Sequence, residues 1–138
     1  MKIFIDTGAF IAVIDQADDY HGAAAAFFKN ALEKEIKFIT TDFVVCETMN
    51  FLRSKISHSM AVFFWEHLKK SKVIEVLRIT PHLQEGAFKI FKQYADKDFS
   101  FTDCTSFTAM KSFKINRAFG FDKHFEQYGH FEQLPSPY

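Results

Sequence analysis

Four acidic side chains stand at positions where a carboxylate could do chemistry. Asp6 follows the apolar run of residues 2–5, and Asp122 follows residues 117–121, each a predicted β-strand. If these strands are parallel, the residues that follow them lie beyond the carboxyl ends of the sheet, where open α/β sheets bind ligands. The alternative for each acid is a helix N-cap, because both precede a predicted helix.

Two further acids, Glu47 and Asp103, lie inside predicted helices. Because residues four apart share a helix face, each acid falls on an otherwise apolar stripe, with Phe43 and Phe51 beside Glu47, and with Phe107 and Met110 beside Asp103. Carboxylates on apolar faces are costly unless they are paired or bound to a metal. The alternatives are a favourable first-turn acid for Asp103 and a boundary residue that reaches solvent for Glu47.

Convergence of the four carboxylates would require either raised pKa values or neutralising cations. Oxygen ligands without His or Cys suit Mg²⁺ or Mn²⁺ rather than zinc. The six histidines show no metal-ligand spacing such as H-E-x-x-H. The two cysteines, Cys46 and Cys104, form no C-x-x-C pattern, and we expect both to be reduced, buried and inert.

The elements that must position these acids alternate between strand and helix. The predicted strands are Lys2–Ile5, Lys37–Thr40, Val73–Ile79, Arg117–Phe121 and His130–Leu134. The predicted helices are Gly8–Asp15, His21–Lys34, Phe43–Lys55, Ser57–Lys70, Pro81–Tyr94, Asp103–Lys114 and Asp122–Gln127, with a polar loop over Asp96–Thr102. This βαβ series predicts a three-layer α/β/α sandwich with a mainly parallel sheet of four or five strands, in one domain of residues 1–138.

Two other acid-based families are excluded by single residues. A phosphatase of the haloacid-dehalogenase type needs a second Asp two residues after the first, and this chain has Gly8 there. A response-regulator receiver needs Asp at the end of the third strand, where this chain reads Ile79-Thr80-Pro81. The glycine motifs G-x-x-x-x-G-K-[ST] and G-x-G-x-x-G, which cradle phosphates, are missing from the sequence.

The acids and their neighbours resemble the PIN domain, the fold of VapC-type toxin ribonucleases. The matching pieces are Ile3-Phe4-Ile5-Asp6-Thr7, Glu47, Ser100-Phe101-Thr102-Asp103, and Phe119-Gly120-Phe121-Asp122-Lys123-His124-Phe125. They occur in the family's order and span nearly the whole chain, from Ile3 to about Pro135. The resemblance therefore implies the PIN-like fold and a shared site.

Residue by residue, the resemblance implies that one or two divalent ions, Mg²⁺ or Mn²⁺, are coordinated by Asp6, Glu47, Asp103 and Asp122. It also implies that the hydroxyls of Thr7 and Ser100 support these ligands. Many relatives carry Thr two residues before the last acid and a second acid two residues after it. This chain has Gly120 and His124 at those places, so the last corner of the site departs from the family pattern.

Two more polar residues adjoin the predicted ligands. Asn50 lies one helical turn after Glu47 and could support the metal, whereas the alternative is no role. His124 follows Asp122 closely and could contact the leaving group, whereas the alternative is a surface or capping residue. We expect both to be supporting residues of the site.

The activity implied by the resemblance is metal-dependent hydrolysis of phosphodiester bonds in RNA, by the toxin half of a toxin–antitoxin pair. PIN toxins of this kind dimerise and bind an antitoxin, so a homodimer and an antitoxin are implied partners besides RNA. The segment Met60–Leu68 is apolar around much of a helix, which burial by a second subunit or full packing within its own domain would explain. The alternative function, motivated by Gly120 and His124, is a PIN-like RNA- or protein-binding module that has lost catalysis.

Composition bears on location and on charge. No apolar run approaches the roughly 20 residues needed to cross a bilayer, and the N-terminus lacks the zones of a secretion signal, so we expect a cytoplasmic protein. The 17 basic and 17 acidic side chains give zero net charge, which by itself argues against a nucleic-acid partner. If four acids surround a metal, however, 17 basic side chains face only 13 acidic ones, which predicts a cationic rim around an acidic pit.

Overall fold

The structure, a computed structural model, describes residues 1–136. Its strands are β1 (Lys2–Ile5), β2 (Lys37–Thr41), β3 (Ile74–Leu77), β4 (Arg117–Phe119) and β5 (Glu132–Leu134). Its α-helices are α1 (Thr7–Ile14), α2 (His21–Glu33), α3 (Asp42–Phe51), α4 (His58–Lys70), α5 (Pro81–Gln93), α6 (Phe101–Ser112) and α7 (His124–Tyr128). A π-helical turn, Leu52–Ile56, connects α3 to α4.

The five strands form one parallel sheet in the order β3-β2-β1-β4-β5. Consecutive residues are buried in the central strands, over Ile3–Ile5 of β1 and Phe38–Thr41 of β2. Because successive side chains of a strand point to opposite faces, both faces of the sheet centre are covered. The predicted α/β sandwich with a parallel sheet is therefore confirmed.

Aromatic packing joins α6 and α7, the two helices that carry Asp103 and His124. Phe107 of α6 is fully buried and stacks on Tyr128 of α7, with ring centroids 4.5 Å apart. Phe107 also meets Phe125 edge to face at 5.2 Å. Since both helices share this packed cluster, the relative placement of their polar side chains is fixed from the core.

Several predicted boundaries are wrong near the sheet edge. The strand predicted to reach Phe121 ends at Phe119, and the helix predicted from Asp122 begins at His124. The reason is a turn, in which the carboxylate of Asp122 accepts a hydrogen bond from the backbone N–H of His124. The helix predicted from Asp103 begins two residues earlier, at Phe101, because Ser100 caps it.

The helix predicted over Phe43–Lys55 is divided, since α3 ends at Phe51 and the π-helical turn follows. The strand predicted over Val73–Ile79 is shorter, and as an edge strand it is only partly buried. Ser57 caps α4, as predicted, by accepting a hydrogen bond from the backbone N–H of Met60. Thr80 caps α5 in the same way.

Two burial predictions fail on the helices that follow β2. Cys46 is exposed, because the buried face of α3 consists of Val44, Val45 and Thr48; Cys104 is buried as expected, and both cysteines are free. Helix α4 buries Ala61, Phe64 and Leu68 but exposes Val62, Phe63 and Trp65, so full packing within its own domain is wrong. Within residues 1–136, no helix has the length and apolar character needed to cross a membrane.

Candidate metal centre

The candidate site lies at the carboxyl edge of the sheet, where β1 and β4 end. Asp6 follows β1 directly, and Asp122 follows the neighbouring β4 after two residues. The backbone N–H of Asp6 donates to the carbonyl of Phe119 at 3.0 Å, which ties the two strand ends together. The chain passes from β1 to β2 on one side while β4 lies on the other, and such a switch point opens a ligand crevice in α/β sheets.

Asp6 is a buried carboxylate without a capping role. It occupies the N-cap position of α1, yet its side chain makes no capping hydrogen bond, so the N-cap alternative is wrong for this residue. Its exposed fraction is 3%. Burial, and after it the negative charges of Asp122 and Asp103, raises the pKa of Asp6 well above its usual range, against the stabilising backbone N–H of Thr7.

Asp103 is held by the cap of α6. Its backbone N–H donates to Ser100 Oγ at 3.0 Å, and its Oδ2 accepts from the backbone N–H of Ser100 at 2.9 Å. It is 6% exposed, on the same stripe as the buried Phe107 and Met110, as predicted. Burial raises the pKa of Asp103, while the hydrogen bond from Ser100 and the proximity of His124 oppose that shift. Asp103 is thus both a first-turn acid and a carboxylate in apolar surroundings.

Asp122 and His124 complete a tight group with Asp103. His124 Nδ1 lies 2.6 Å from Asp103 Oδ2 and 3.7 Å from Asp122 Oδ1. Asp122 Oδ1 also accepts a hydrogen bond from the backbone N–H of His124 at 2.9 Å in a turn, but the N-cap of α7 is Lys123, so the N-cap alternative is wrong for Asp122. The structure therefore places His124, a predicted supporting residue, directly against two predicted ligands.

Glu47 and Asp122 are exposed acids, whereas Asp6 and Asp103 are buried. Phe51 is exposed as well, which makes the predicted burial of Glu47 on an apolar stripe wrong and its solvent-reaching alternative right. The negative charge of Glu47 still raises the pKa of Asp6, by less than the charges of the other two aspartates. Glu47 is therefore near enough for its charge to act on Asp6, but it lies outside the group of Asp103, Asp122 and His124 whose ligand atoms are within 4.8 Å of one another.

A surface pocket of about 550 Å³ adjoins Glu47; its lining comprises Asp42, Phe43, Cys46, Glu47, Asn50 and Thr102. Asn50 Nδ2 lies 3.7 Å from Cys46 Sγ, so the structure gives this amide a partner on its own helix and places it in the pocket wall. The Thr7 hydroxyl accepts from Thr48 Oγ1 at 3.4 Å, which links α1 to α3 beneath Asp6. Of the supporting residues, Ser100 and His124 contact predicted ligands directly through their side chains.

Sequence reasoning missed Gln133, which fixes the turn that carries Asp122. Gln133 Nε2 donates to the carbonyl of Gly120 at 3.0 Å and also to the carbonyl of Asp122. A glutamine in a short edge strand has no spacing signal, because its partners are backbone atoms brought together only by folding. Gly120 faces Asp6, since a Cβ added there would lie 3.5 Å from Asp6 Cβ.

The donor set fits a divalent cation. The ligand atoms of Asp103, Asp122 and His124 all lie within 4.8 Å of one another, and Asp6 adds a buried carboxylate whose charge the other acids oppose. A cation relieves such repulsion. His124 Nδ1 is buried without a hydrogen-bond partner in the described part of the chain, because its close contact with Asp103 lacks hydrogen-bond geometry.

Burial and the charge of Asp103 also raise the pKa of Cys104 to about 11, so this thiol stays neutral.

The fold and the site together define the class of protein, an α/β protein with buried carboxylates gathered at the switch point of a parallel sheet. The sequence matches the PIN domain over residues 3–130, and the chain belongs to the PIN domain family. The resemblance inferred from the four acidic motifs is thereby confirmed.

One relative, matched both by its sequence and by its crystal structure, and one more distant structure are informative. The chain is 30% identical over 104 residues to the 23S rRNA-specific endonuclease VapC20 of Mycobacterium tuberculosis, covering 75% of this chain and 76% of that protein. The crystal structure of M. tuberculosis VapC20, described as a sarcin–ricin loop cleaving toxin, superposes with a TM-score of 0.83 at 29% identity, covering 94% of this chain and 97% of the other. VapBC2 from Rickettsia felis, crystallised with a promoter DNA fragment, shares the fold at a TM-score of 0.72 and 7% identity, covering 96% and 97% of the two chains.

Proposed function

We propose that this protein is a divalent-metal-dependent endoribonuclease and the toxin component of a toxin–antitoxin pair. The observation that carries the proposal is the convergence of Asp6, Asp103 and Asp122 at the switch point of the sheet, two of them buried and raised in pKa by burial and mutual repulsion. Such an arrangement is costly for folding unless a cation occupies it. A family membership shared with a ribosomal RNA endonuclease agrees with this chemistry.

A divalent ion held by these carboxylates would supply positive charge, which lowers the pKa of water and stabilises negative charge on phosphate oxygens. Asp6 and Asp103 would hold the ion from the buried side, and Asp122 from the turn after β4. Ser100 keeps the Asp103 carboxylate oriented through its backbone N–H. For Glu47, predicted as a fourth ligand, we propose that it holds the ion or accepts a proton from the attacking water, because it is exposed and its charge acts on Asp6.

For the substrate, we propose a structured ribosomal RNA loop. The relative that is 30% identical is a 23S rRNA-specific endonuclease, and its structure is described as that of a sarcin–ricin loop cleaving toxin. The pocket beside Glu47, lined by Phe43 and Asn50, offers one apolar and one amide surface next to the acidic cluster. A base can stack on the first and hydrogen-bond to the second, which is how proteins read unpaired RNA.

For partners, we propose an antitoxin protein and a second copy of this chain. A toxin that cleaves ribosomal RNA needs an inhibitor in the cell that makes it. The exposed Val62, Phe63 and Trp65 of α4 give the protein an apolar surface of the kind that partners cover. Phe63 also borders an apolar groove of about 480 Å³ between α1, α2 and α4. A cytoplasmic location follows from the proposed substrate.

The direct test is cleavage of a sarcin–ricin loop RNA by the full chain with Mg²⁺, with Mn²⁺ and with excess EDTA. We expect cleavage only with a divalent ion, and a loss of more than about 100-fold in Asp103→Asn. Asp19→Asn removes an exposed acid outside the site and is the matched control, so it should cleave normally. Full cleavage in EDTA or in Asp103→Asn contradicts the proposal. RNA binding without cleavage under every ion supports the alternative binding module.

A further inference from the structure

One side chain of the acidic cluster is of a different chemical type from the rest. In the described part of the chain, the group of residues able to hold a metal together consists of Asp103, Asp122 and His124. Their ligand atoms lie within 4.8 Å of one another, and His124 Nδ1 is 2.6 Å from Asp103 Oδ2. Metal–nitrogen and metal–oxygen bonds are about 2.0–2.2 Å long, so two ligands of one ion lie up to about 4.4 Å apart, which is close to the spacing of this group.

The His124 ring is held with this nitrogen turned inward. Phe99 packs against the ring edge to face, with centroids 5.7 Å apart. Nδ1 is buried and has no hydrogen-bond partner among residues 1–136, although two carboxylates lie beside it. Asp103 Oδ2 already accepts a hydrogen bond from the backbone N–H of Ser100 at 2.9 Å. The nearest partner of this nitrogen is thus the Asp103 carboxylate, 2.6 Å away in an ion-pair contact without hydrogen-bond geometry, and coordination of a cation would give both groups a better partner.

We propose that His124 is a metal ligand through Nδ1, on the same ion as Asp103 and Asp122, and that this nitrogen makes the site prefer Mn²⁺ to Mg²⁺. This inference rests on the proposed function, because it concerns the ion that the ribonuclease would use. Mg²⁺ takes oxygen ligands and keeps its waters, whereas imidazole is a normal ligand of transition metals. An imidazole in place of an oxygen donor therefore shifts the selectivity of the site toward the transition metal.

The competing role for His124 is that of a positioning residue, which contacts Asp103 without touching the ion. The two roles differ in a spectroscopic observable. A ligand nitrogen couples magnetically to Mn²⁺, and pulsed EPR detects that ¹⁴N coupling in the wild-type protein. A positioning residue gives Mn²⁺ binding with water and carboxylate ligands only. The measurement needs no variant, so a folding defect cannot obscure it.

The experiment combines this spectrum with Mn²⁺ and Mg²⁺ titrations of wild type, His124→Ala and His58→Ala. His58 is an exposed histidine at the start of α4 and serves as the matched control. We expect a ¹⁴N coupling in wild type and in His58→Ala that is lost in His124→Ala. We also expect His124→Ala to weaken Mn²⁺ binding by about 10- to 100-fold and Mg²⁺ binding by less than about threefold. Thermal unfolding confirms that each variant is folded.

The outcomes separate the two proposals. If Mn²⁺ binds and supports RNA cleavage but shows no ¹⁴N coupling, the assignment of His124 is wrong and the proposed function stands. If His124→Ala weakens Mn²⁺ and Mg²⁺ equally, the preference is wrong and His124 is a positioning residue. If neither ion binds and Asp103→Asn still cleaves RNA, both proposals are wrong.

Discussion

Ser100 and Asp103 satisfy each other's backbone N–H groups at the start of α6. Ser100 Oγ accepts from Asp103 N at 3.0 Å, and Asp103 Oδ2 accepts from Ser100 N at 2.9 Å. This capping box does more than begin a helix, because one of its two partners is a carboxylate of the acidic cluster. The serine implied by family resemblance as a supporting hydroxyl acts through a helix cap.

Replacing Ser100 by alanine should therefore weaken stability and metal binding together. We expect Ser100→Ala to lower the free energy of unfolding by about 1 kcal/mol, the usual value of an N-cap. Because Asp103 loses half of its capping box, Mn²⁺ affinity should also fall, by about tenfold. Ser57→Ala removes the cap of α4 and should cost the same stability at unchanged affinity. Equal affinities in the two variants would contradict this account.

We expect the Asp6 carboxylate to destabilise the metal-free protein and to be needed for RNA cleavage. Its pKa is raised by burial first and then by Asp122 and Asp103, so the folded state binds its proton more tightly than the unfolded chain. Without metal, this residue makes stability fall as pH rises from the ordinary pKa of an aspartate through the raised pKa of Asp6. We expect Asp6→Asn to flatten that dependence and to raise the melting temperature at neutral pH, while RNA cleavage falls more than about 100-fold.

The control for Asp6→Asn is Asp19→Asn, which removes an exposed carboxylate. Its pH–stability profile should follow that of the wild type. Added Mn²⁺ should stabilise the wild type and Asp19→Asn and leave Asp6→Asn nearly unchanged, because binding to the native state alone raises stability. A melting temperature of Asp6→Asn below that of the metal-free wild type at neutral pH would show that the carboxylate is not the strained group.

Substitution of Gln133 tests whether the turn after β4 holds Asp122 in position for metal binding. The Gln133 amide donates to the carbonyls of Gly120 and Asp122. Because each hydrogen bond contributes about 0.5–1 kcal/mol net, the loss of two predicts that Gln133→Ala lowers the free energy of unfolding by about 1–2 kcal/mol. With the turn released, Asp122 should hold an ion less well, so Mn²⁺ affinity falls too. Gln127→Ala, at an exposed glutamine of α7, should change neither quantity.

The sequence predicted the acids that end strands better than the acid within α3. Asp6 and Asp122 follow from strand recognition alone, because neighbouring parallel strands bring their carboxyl ends to one edge. The prediction that an acid on an apolar helix stripe is buried is confirmed for Asp103, whose neighbours Phe107 and Met110 are buried. It is wrong for Glu47, whose neighbour Phe51 is exposed. Periodicity identifies residues that share a face, but whether that face meets the core depends on how neighbouring helices pack.

The inward nitrogen of His124 and the amide of Gln133 were beyond sequence reasoning for a related reason. Each depends on a contact between elements distant in the chain, such as Gln133 of β5 with Gly120. The same holds for Cys46, which an apolar composition predicts to be buried and which α3 turns outward. Composition and spacing specify local elements, whereas these side chains are placed by tertiary packing.

The cationic rim inferred from the charge count predicts how salt affects RNA binding. Arg53 and Lys55 are exposed in the π-helical turn directly after the helix that carries Glu47. In an Asp103→Asn background, which we expect to bind RNA without cleaving it, replacing Arg53 and Lys55 by glutamine should weaken RNA binding at low salt. The slope of log affinity against log salt should become shallower by about 0.7 for each lost phosphate contact.

The matched control is the double variant of Lys70 and Lys72 to glutamine, two exposed lysines that precede β3 at the opposite edge of the sheet. Both double variants remove two positive charges, so any effect of overall charge is the same in the two proteins. A phosphate contact at the rim changes the slope only for Arg53 and Lys55. Equal slopes in the two variants would show that the RNA senses overall charge, and the rim would then play no part in positioning the phosphates over Asp6 and Asp122.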